Sequence, residues 1–433
     1  MSGRAVVVGG GIGGLASGVA LSRVGWDVTV LERAPSLEPV GAGIAVAPNA
    51  VRALGALGLG DRLRDLAGLQ GDVGLRRPDG RWLVRANAGE ASARFGDQTL
   101  VLHRAQLVGM LADALPDGAL RLGADAAVVD PGDAGRSARV RVRDAVGPDA
   151  ARRAPGAPDR LDARGSGAGS PPAAEVRGGG EARPGGEDEI EAALVVAADG
   201  IDSPTRTRWW PEAPGPVSGG STAWRLVAPA PAGVVGSETW GRGIVVGIMP
   251  LADGRVYAYV SVADGAGVPA SFAELRERLT DWHEPIPSLL ASMDPAHVLC
   301  HELRRLPAPP ASLATGRVVL VGDAAHAMLP NVGQGGCQSL EDAVVLGVRV
   351  GAADSAGITA GGVPEALLRW SAERRPRVVK VMRMSAQMAG MSRSTSPVTT
   401  AVRDAGARLA GPWSASLGSW ALRGVLGWRP PEA

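Results

Sequence analysis

The chain has 433 residues, 45% of them hydrophobic and 21% charged, which is enough apolar material for roughly two packed domains. Lys and Arg number 45 against 44 Asp and Glu, and a net charge of +1 leaves no electrostatic footprint for nucleic acid. Two cysteines, Cys300 and Cys337, cannot build a disulfide framework, no apolar run is long enough to span a membrane, and MSGRAVVVGG has no signal-peptide pattern, so the expected setting is a reducing cytoplasm.

Arg4–Val8 (RAVVV) reads as a buried strand running into Gly9-Gly10-Gly11-Ile12-Gly13-Gly14, which contains GxGxxG. A helix is expected over Leu15–Val24 and a second strand over Asp27–Leu31, closed by Glu32, 18 residues after Gly14. Each glycine has its own reason. Gly9 allows the tight turn, Gly11 lets backbone approach a pyrophosphate, and Gly14 lets the helix pack on the strand. The helix N-terminus then offers free N–H groups to phosphates, and Glu32 can accept from a ribose diol. FAD and NAD(P) share this half, so the fingerprint alone does not separate them.

Residues 76–100 suggest hairpin strands of a second domain, 104–115 a helix, and ARVRVR (138–143) a half-exposed strand. Residues 147–186 hold 10 Gly and 6 Pro, with Leu161 and Val176 their only large aliphatics, and read as a disordered hairpin insertion. LVVAADGIDSPTR (194–206) is a strand ending at Asp199-Gly200, followed by Ser203 and Arg206. Residues 215–300 read as a mostly antiparallel sheet domain. Alternation over 252–262 puts Val256, Ala258 and Val260 on one face, and Arg255, Tyr257, Tyr259 and Ser261 on the other. SFAELRERLTDW is a helix with Ser271 as N-cap and Glu274 completing a capping box. His297 and His301 flank Cys300, but AHVLCHELRRL reads as a strand, which spreads them too far apart for a metal clamp. In 317–343 a strand, Val318–Val321, ends at Gly322-Asp323, and a loop with Pro330, Gly333, Gly335 and Gly336 enters a helix near Cys337. Glu341 and Asp342 are expected in its first turn, where acids suit the dipole. Residues 365–390 read as a long helix. The tail, 407–428, carries Trp413, Leu417, Trp420, Leu422, Leu426 and Trp428; it reads as a membrane-surface helix or a packing helix, and Gly411, Pro412, Gly418 and Gly424 favour packing.

Three motifs in order, GxGxxG at Gly9–Gly14, DG at Asp199-Gly200 and GD at Gly322-Asp323, resemble those of the group A flavoprotein monooxygenases, the para-hydroxybenzoate hydroxylase fold, over residues 3–145 and 188–385. GQGGC (Gly333–Cys337) resembles the branch of urate hydroxylases and zeaxanthin epoxidases, although many relatives carry Asn where Cys337 stands. The resemblance implies an α/β fold. A Rossmann-like FAD-binding domain (1–75, 101–214, 301–385) would interleave with a mostly antiparallel substrate domain (76–100, 215–300), followed by a helical tail (386–433).

It also implies bound FAD, NAD(P)H as a transient reductant, and a flavin C4a-hydroperoxide that passes one oxygen atom to a small aromatic or polyene molecule, in a monomer or homodimer. Gly9, Gly11, Gly13, Gly14, Glu32 and Arg33 would serve the adenosine side, with Gly43 and Ala45 of segment 41–45 beside the flavin ring. Arg104 would reach the phosphates or the ring edge; Ala126 and Asp199 would bear on FAD, and Asp199 also on NAD(P)H. Gly322 and Asp323 would hold the ribityl chain, and Pro330, Gly333, Gln334, Gly335, Gly336 and Cys337 the ring. Arg225, Tyr257, Pro330 and Gln334 are the expected catalytic set: Arg225 to pair with an anionic group, Tyr257 to donate a hydrogen bond, Pro330 and Gln334 to shape the reacting face. His326 is expected to be a buried structural residue. The arginine that urate hydroxylases use near the preceding strand is replaced in the Ile244–Val245 region, which suggests a less polar substrate. A halogenase on this fold needs a WxWxIP segment and a lysine near the flavin; Trp224 stands alone and Lys380 lies far down the chain. A reductase without oxygen insertion, or a non-catalytic FAD-binding module, are the alternative readings.

Overall fold

Every large residue of the first strand after Arg4 is valine, and that strand sits at the centre of a parallel sheet. In the computed structural model, which describes residues 3–37, 43–69, 73–86, 96–144, 187–355 and 362–432, this sheet has the order β18-β19-β12-β1-β2-β8. Its strands are β1 (Arg4–Val8), β2 (Asp27–Leu31), β8 (Leu120–Arg121), β12 (Leu194–Ala197), β18 (Ala314–Thr315) and β19 (Val318–Leu320). All pairs are parallel except β18 with β19. Strands buried on both faces must be apolar throughout, and Val6, Val7, Val195, Val196, Val318 and Val319 are completely buried. Helix α1 (Ile12–Arg23) crosses between β1 and β2, and α9 (Gly335–Ser355) packs along it. That approach is close: a Cβ on Gly347 would lie 3.2 Å from Ala20.

The second large sheet has the order β17-β13-β16-β15-β14-β5-β6, built from β5 (Val73–Arg76), β6 (Trp82–Ala86), β13 (Val217–Pro229), β14 (Gly236–Trp240), β15 (Ile244–Pro250), β16 (Arg255–Ala263) and β17 (Leu299–Arg305). Only β14–β5 is parallel. Its outer face, with Trp224, Leu226, Ile248, Val256, Ala258 and Val260, packs on α6 (Phe272–Arg278) and α7 (Ile286–Ala291). Alternation therefore sends Tyr257 and Tyr259 to the inner face together, as expected from the pattern, and pairing with β16 sets Val227 and Arg225 beside them. Ser271 caps α6 by accepting from the Glu274 N–H at 3.2 Å; the Glu274 carboxylate reaches back to the Ala270 N–H, one residue earlier than a standard capping box.

Two small sheets complete the frame: β3 (Gly43–Val46), β7 (Leu100–His103) and β4 (Gly68–Leu69) in the order β3-β7-β4, and β9 (Ala124–Asp130), β10 (Ala138–Asp144) and β11 (Glu187–Ala192) in the order β11-β10-β9. The remaining helices are α2 (Pro48–Ala56), α3 (Gly60–Leu66), α4 (Arg104–Ala112), α5 (Pro204–Trp209), α8 (Asp323–His326), α10 (Val363–Ser392) and α11 (Pro397–Leu426). Helix α10 runs without a break through the expected boundary at residue 385. The 147–186 insertion, positions 41 and 42, and the side chains of Trp413, Leu417, Trp420 and Leu422 lie outside the described residues. Among the described residues no helix is long and apolar enough to cross a membrane.

Candidate functional site

The motifs meet because adjacent parallel strands end together. β19, β12, β1 and β2 are consecutive neighbours, and their carboxyl ends deliver Gly322-Asp323, Asp199-Gly200, the glycine turn and Glu32 to one edge of the sheet, the edge where open α/β sheets bind ligands. Gly9 has φ +106°, and a Cβ there would fall 2.3 Å from the Ala198 oxygen, so the first glycine touches the DG strand. A Cβ on Gly14 would fall 1.9 Å from the Gly9 oxygen. Gly11 meets nothing within 4 Å and caps α1 with no side chain, and no acid lies in that first turn. The Glu32 carboxylate accepts from the backbone N–H groups of Gly10 (2.6 Å) and Ala34 (2.8 Å), so it braces the turn as well as facing the edge. Arg33 is exposed beside it.

Asp199 accepts from the Thr205 N–H through Oδ2 (3.1 Å), and its Oδ1 is buried without a partner. A buried carboxylate oxygen with no donor is costly, so it points to a missing one. Ser203 caps α5, and buried Arg206 donates to the Ala324 and Ile201 carbonyls at 2.8 and 2.6 Å, tying the DG turn to the GD helix α8. Asp323 is exposed.

After α8, Pro330–Val332 form a 3₁₀ turn, Gly333 takes φ +61°, and α9 starts at Gly335 with no acid in its first turn. A Cβ on Gly336 would lie 3.1 Å from Ile44 and 3.6 Å from Ile12, so β3, α1 and α9 converge there. Cys337 is buried, with its Sγ 3.4 Å from the Gly333 oxygen; burial and the nearby Glu341 push the thiol up to about 12. Pro330 is exposed at the corner of the loop.

Two features stand out. Gln334 is turned inward: its Oε1 accepts from Asn49 (3.0 Å) and Gln338 (3.2 Å), so its carbonyl is engaged within the protein. Glu341 and Asp342 lie in the second turn of α9, completely buried, because the helix starts at Gly335. Their charges are answered by side chains. Arg374 donates to Glu341 (2.7 Å) and Asp342 (2.8 Å), Arg377 donates to Glu341 (2.5 Å), and His326 Nε2 lies 2.6 Å from Asp342. Burial pulls the Asp342 carboxyl up, but His326, Arg374 and the Gly322 N–H outweigh it and hold it below its ordinary value. His326 is buried, as expected, with its Nδ1 unpartnered. No motif flagged Asn49, Arg374 or Arg377; the only trace was arginines three residues apart on a long helix.

The inner face of the seven-stranded sheet lies against β3. A Cβ on Gly43 would be 2.5 Å from the Tyr257 ring, and Tyr257 packs with Ala45, Val101, Met249 and Leu251. One residue further, Ile44 meets Gly336. Arg104 opens α4 directly after His103, which pairs with Gly43, and is exposed. Arg225, Tyr259, Gly247 and Glu238 form one transverse row. The Tyr259 ring crosses Gly247, where a Cβ would be 2.1 Å away, and its hydroxyl donates to Glu238, which also accepts from Trp240 Nε1 (2.9 Å). Burial and Glu238 drive the Tyr259 pKa well up. Among the described residues, half-buried Arg225 and the Tyr257 hydroxyl have no hydrogen-bond or ion-pair partner. Burial raises the Tyr257 pKa while Arg225 lowers it, so the phenol remains a neutral donor. Val245 pairs with Ser261 and lines a small cavity with Leu329, Asn331 and Arg393, so the strand itself brings no arginine, but Arg393, at the end of α10, lines the same cavity. Cys300 and His301 lie in β17, and Ala126 is a half-buried ladder residue of β9 opposite Val142.

The residues fit FAD. The open space at Gly11 and the two acid-free helix N-termini suit a pyrophosphate and the electron-rich edge of a ring, and the orphaned Asp199 Oδ1 suits a hydroxyl donor of the same cofactor.

The FAD binding domain family model matches residues 3–106 and 170–385. The aurachin C monooxygenase/isomerase of Stigmatella aurantiaca is 33% identical over 349 residues, 79% of each chain. The FAD-dependent urate hydroxylase of Klebsiella pneumoniae is 28% identical over 353 residues, covering 79% of this chain and 80% of that protein. The crystal structure of Klebsiella pneumoniae HpxO with FAD and uric acid has a TM-score of 0.75 at 24% identity, over 98% of each chain, and shares the fold.

Proposed function

Because this chain belongs to the FAD binding domain family of group A flavoprotein monooxygenases, we propose that it uses FAD, NAD(P)H and O2 to insert one oxygen atom into a small aromatic or polyene molecule. When bound, FAD supplies the oxygen-activating redox chemistry. The chain's own residues bind, orient and exclude water. The glycine turn, Glu32, Arg33, Arg104, Asp199 and Asp323 hold the dinucleotide, and Gly43, Ala45 and the backbone of 333–337 flank its ring. The substrate lies between that loop and the inner sheet face.

The observation that supports this reading most strongly is the pair of unpartnered donors, Arg225 and Tyr257, on the sheet face that closes over β3. A guanidinium and a neutral phenol on one face suit an acceptor oxygen such as a phenolate, enolate or carboxylate. Ala45, Val101, Met249 and Leu251 give the surroundings an apolar wall that keeps water from the reaction. Val245 leaves the neighbouring strand without a cation, and Arg393 lines the same cavity, so a polar ring is accommodated as well as an apolar one.

The test is NAD(P)H oxidation by FAD-loaded protein across phenolic acids, purines, quinolones, polycyclic phenols and polyenes, with labelled O2 and mass spectrometry. A compound that stimulates oxidation and gains one labelled atom supports the reading. Reduction of the flavin with no oxygen gained by any compound that stimulates it would replace it with a reductase.

A further inference from the structure

The buried network at the flavin loop continues to the C-terminal segment. Arg377 on α10 uses its rigid fork of donors on two targets. Nε and Nη2 grip the Glu341 carboxylate at 2.5 and 2.6 Å, while Nη1 and Nη2 donate to the Gly424 and Val425 carbonyls at 2.7 and 2.8 Å. From Glu341 the chain of bonds runs inward. Asn49 Nδ2 donates to Glu341 Oε1 (2.7 Å) and to Gln334 Oε1 (3.0 Å), and Gln338 Nε2 donates to the same two atoms at 3.1 and 3.2 Å. Gln334 opens the loop Gln334-Gly335-Gly336 at the start of α9. A second arginine repeats the grip from the other side: Arg52, on α2 with Asn49, donates to the carbonyls of Leu426 and Trp428.

The placement has a physical basis. The last carbonyls of α11 carry the negative end of a helix dipole, and Arg52 and Arg377 both sit at that end. Val425, Asn49, Gln338 and Glu341 are fully buried. In such low-dielectric surroundings each bond is strong and each lost partner costly, so a change at one end is felt along the chain of bonds.

We infer that Arg377 is a positioning residue through which the segment Gly424–Trp428 holds the flavin loop in its FAD-binding shape. The inference rests on the FAD reading and adds the C-terminal segment to the machinery that holds the cofactor. The experiment compares full-length protein, a chain ending at Arg423, and Arg377→Lys, whose single ammonium cannot bridge carboxylate and carbonyls together. Arg369→Ala is the control, since Arg369 is an exposed partner of Glu365 on the same helix. Each apoprotein is titrated with FAD, and the visible bands of the bound flavin and the apoprotein melting temperature are recorded.

Both altered chains are expected to bind FAD at least tenfold more weakly and to shift the visible bands, which report loop polarity rather than global stability; the control changes neither. FAD affinity within twofold of wild type and unshifted bands in Arg377→Lys overturn the inference, and that variant decides alone if the shortened chain fails to fold. Failure of the full-length protein to take FAD would sink the cofactor reading instead.

Discussion

Gly43 lies flat against the ring of Tyr257: a Cβ at position 43 would sit 2.5 Å from the ring. This contact joins β3 to the sheet that covers it, and it holds the phenol where its hydroxyl has no protein partner. Tyr257→Phe should therefore leave stability within about 0.5 kcal/mol of wild type. KM for the true substrate should rise roughly 3- to 10-fold, the worth of one hydrogen bond, with FAD affinity unchanged. Gly43→Ala must move the ring and should raise KM and weaken FAD together. Steady-state kinetics beside FAD titration separates the two.

Gly11 and Gly14 should respond differently to alanine. Gly11 faces open space, so Gly11→Ala should leave the apoprotein's melting temperature unchanged and cut FAD affinity by an order of magnitude or more, because the methyl group occupies the phosphate approach. Gly14→Ala sets a methyl 1.9 Å from the Gly9 oxygen and should destabilise the apoprotein itself. Equal melting temperatures for the two would refute this assignment.

Arg374 faces Glu341 and Asp342 in a fully buried cluster, so Arg374→Met should cost about 3–5 kcal/mol by leaving carboxylates buried and unpaired. The Asp342 carboxyl is held below its ordinary value, so its contribution to stability is fully present above the unfolded pKa of about 3.9 and is lost as pH falls through the lower folded value. Urea midpoints between neutral pH and about pH 3 should fall for the wild type, and fall less steeply for Asp342→Asn.

The two thiols should separate cleanly. Cys337 is buried and pushed up to about 12, so it stays a thiol across the neutral range, whereas Cys300 is exposed. A thiol reagent should label one cysteine in the native protein and two after unfolding. Native labelling of Cys337 would contradict the packing at the start of α9.

Gly247→Ala places a methyl 2.1 Å from the Tyr259 ring and must break its crossing to Glu238. Expected results are a clear loss of stability and a changed substrate KM, because Arg225 shares that transverse row. Tyr259→Phe in the same background should not recover the loss, since the clash is with the ring and not the hydroxyl.

Much of this protein was legible in local order. The valine strand, the glycine turn, Glu32 at the end of the next strand, the DG and GD segments and the face alternation around Tyr257 depend on residues a few positions apart, where steric permission and period-two patterning act directly. That is enough to specify a dinucleotide site at the carboxyl edge of a parallel sheet and a covering sheet with Tyr257 and Tyr259 on one face; the pairing of β13 with β16 then set Arg225 beside them. Tertiary structure decided the rest. Gln334 turned inward because Asn49, 285 residues earlier in the chain, offers it a buried partner. Glu341 and Asp342 became the anchors of a buried ion network because Arg374 and Arg377 arrive on another helix. The C-terminal segment joined that network through backbone carbonyls, which no side-chain pattern records. Buried polar groups must find partners wherever the fold brings them, and those partnerships are set by packing rather than by distance along the chain.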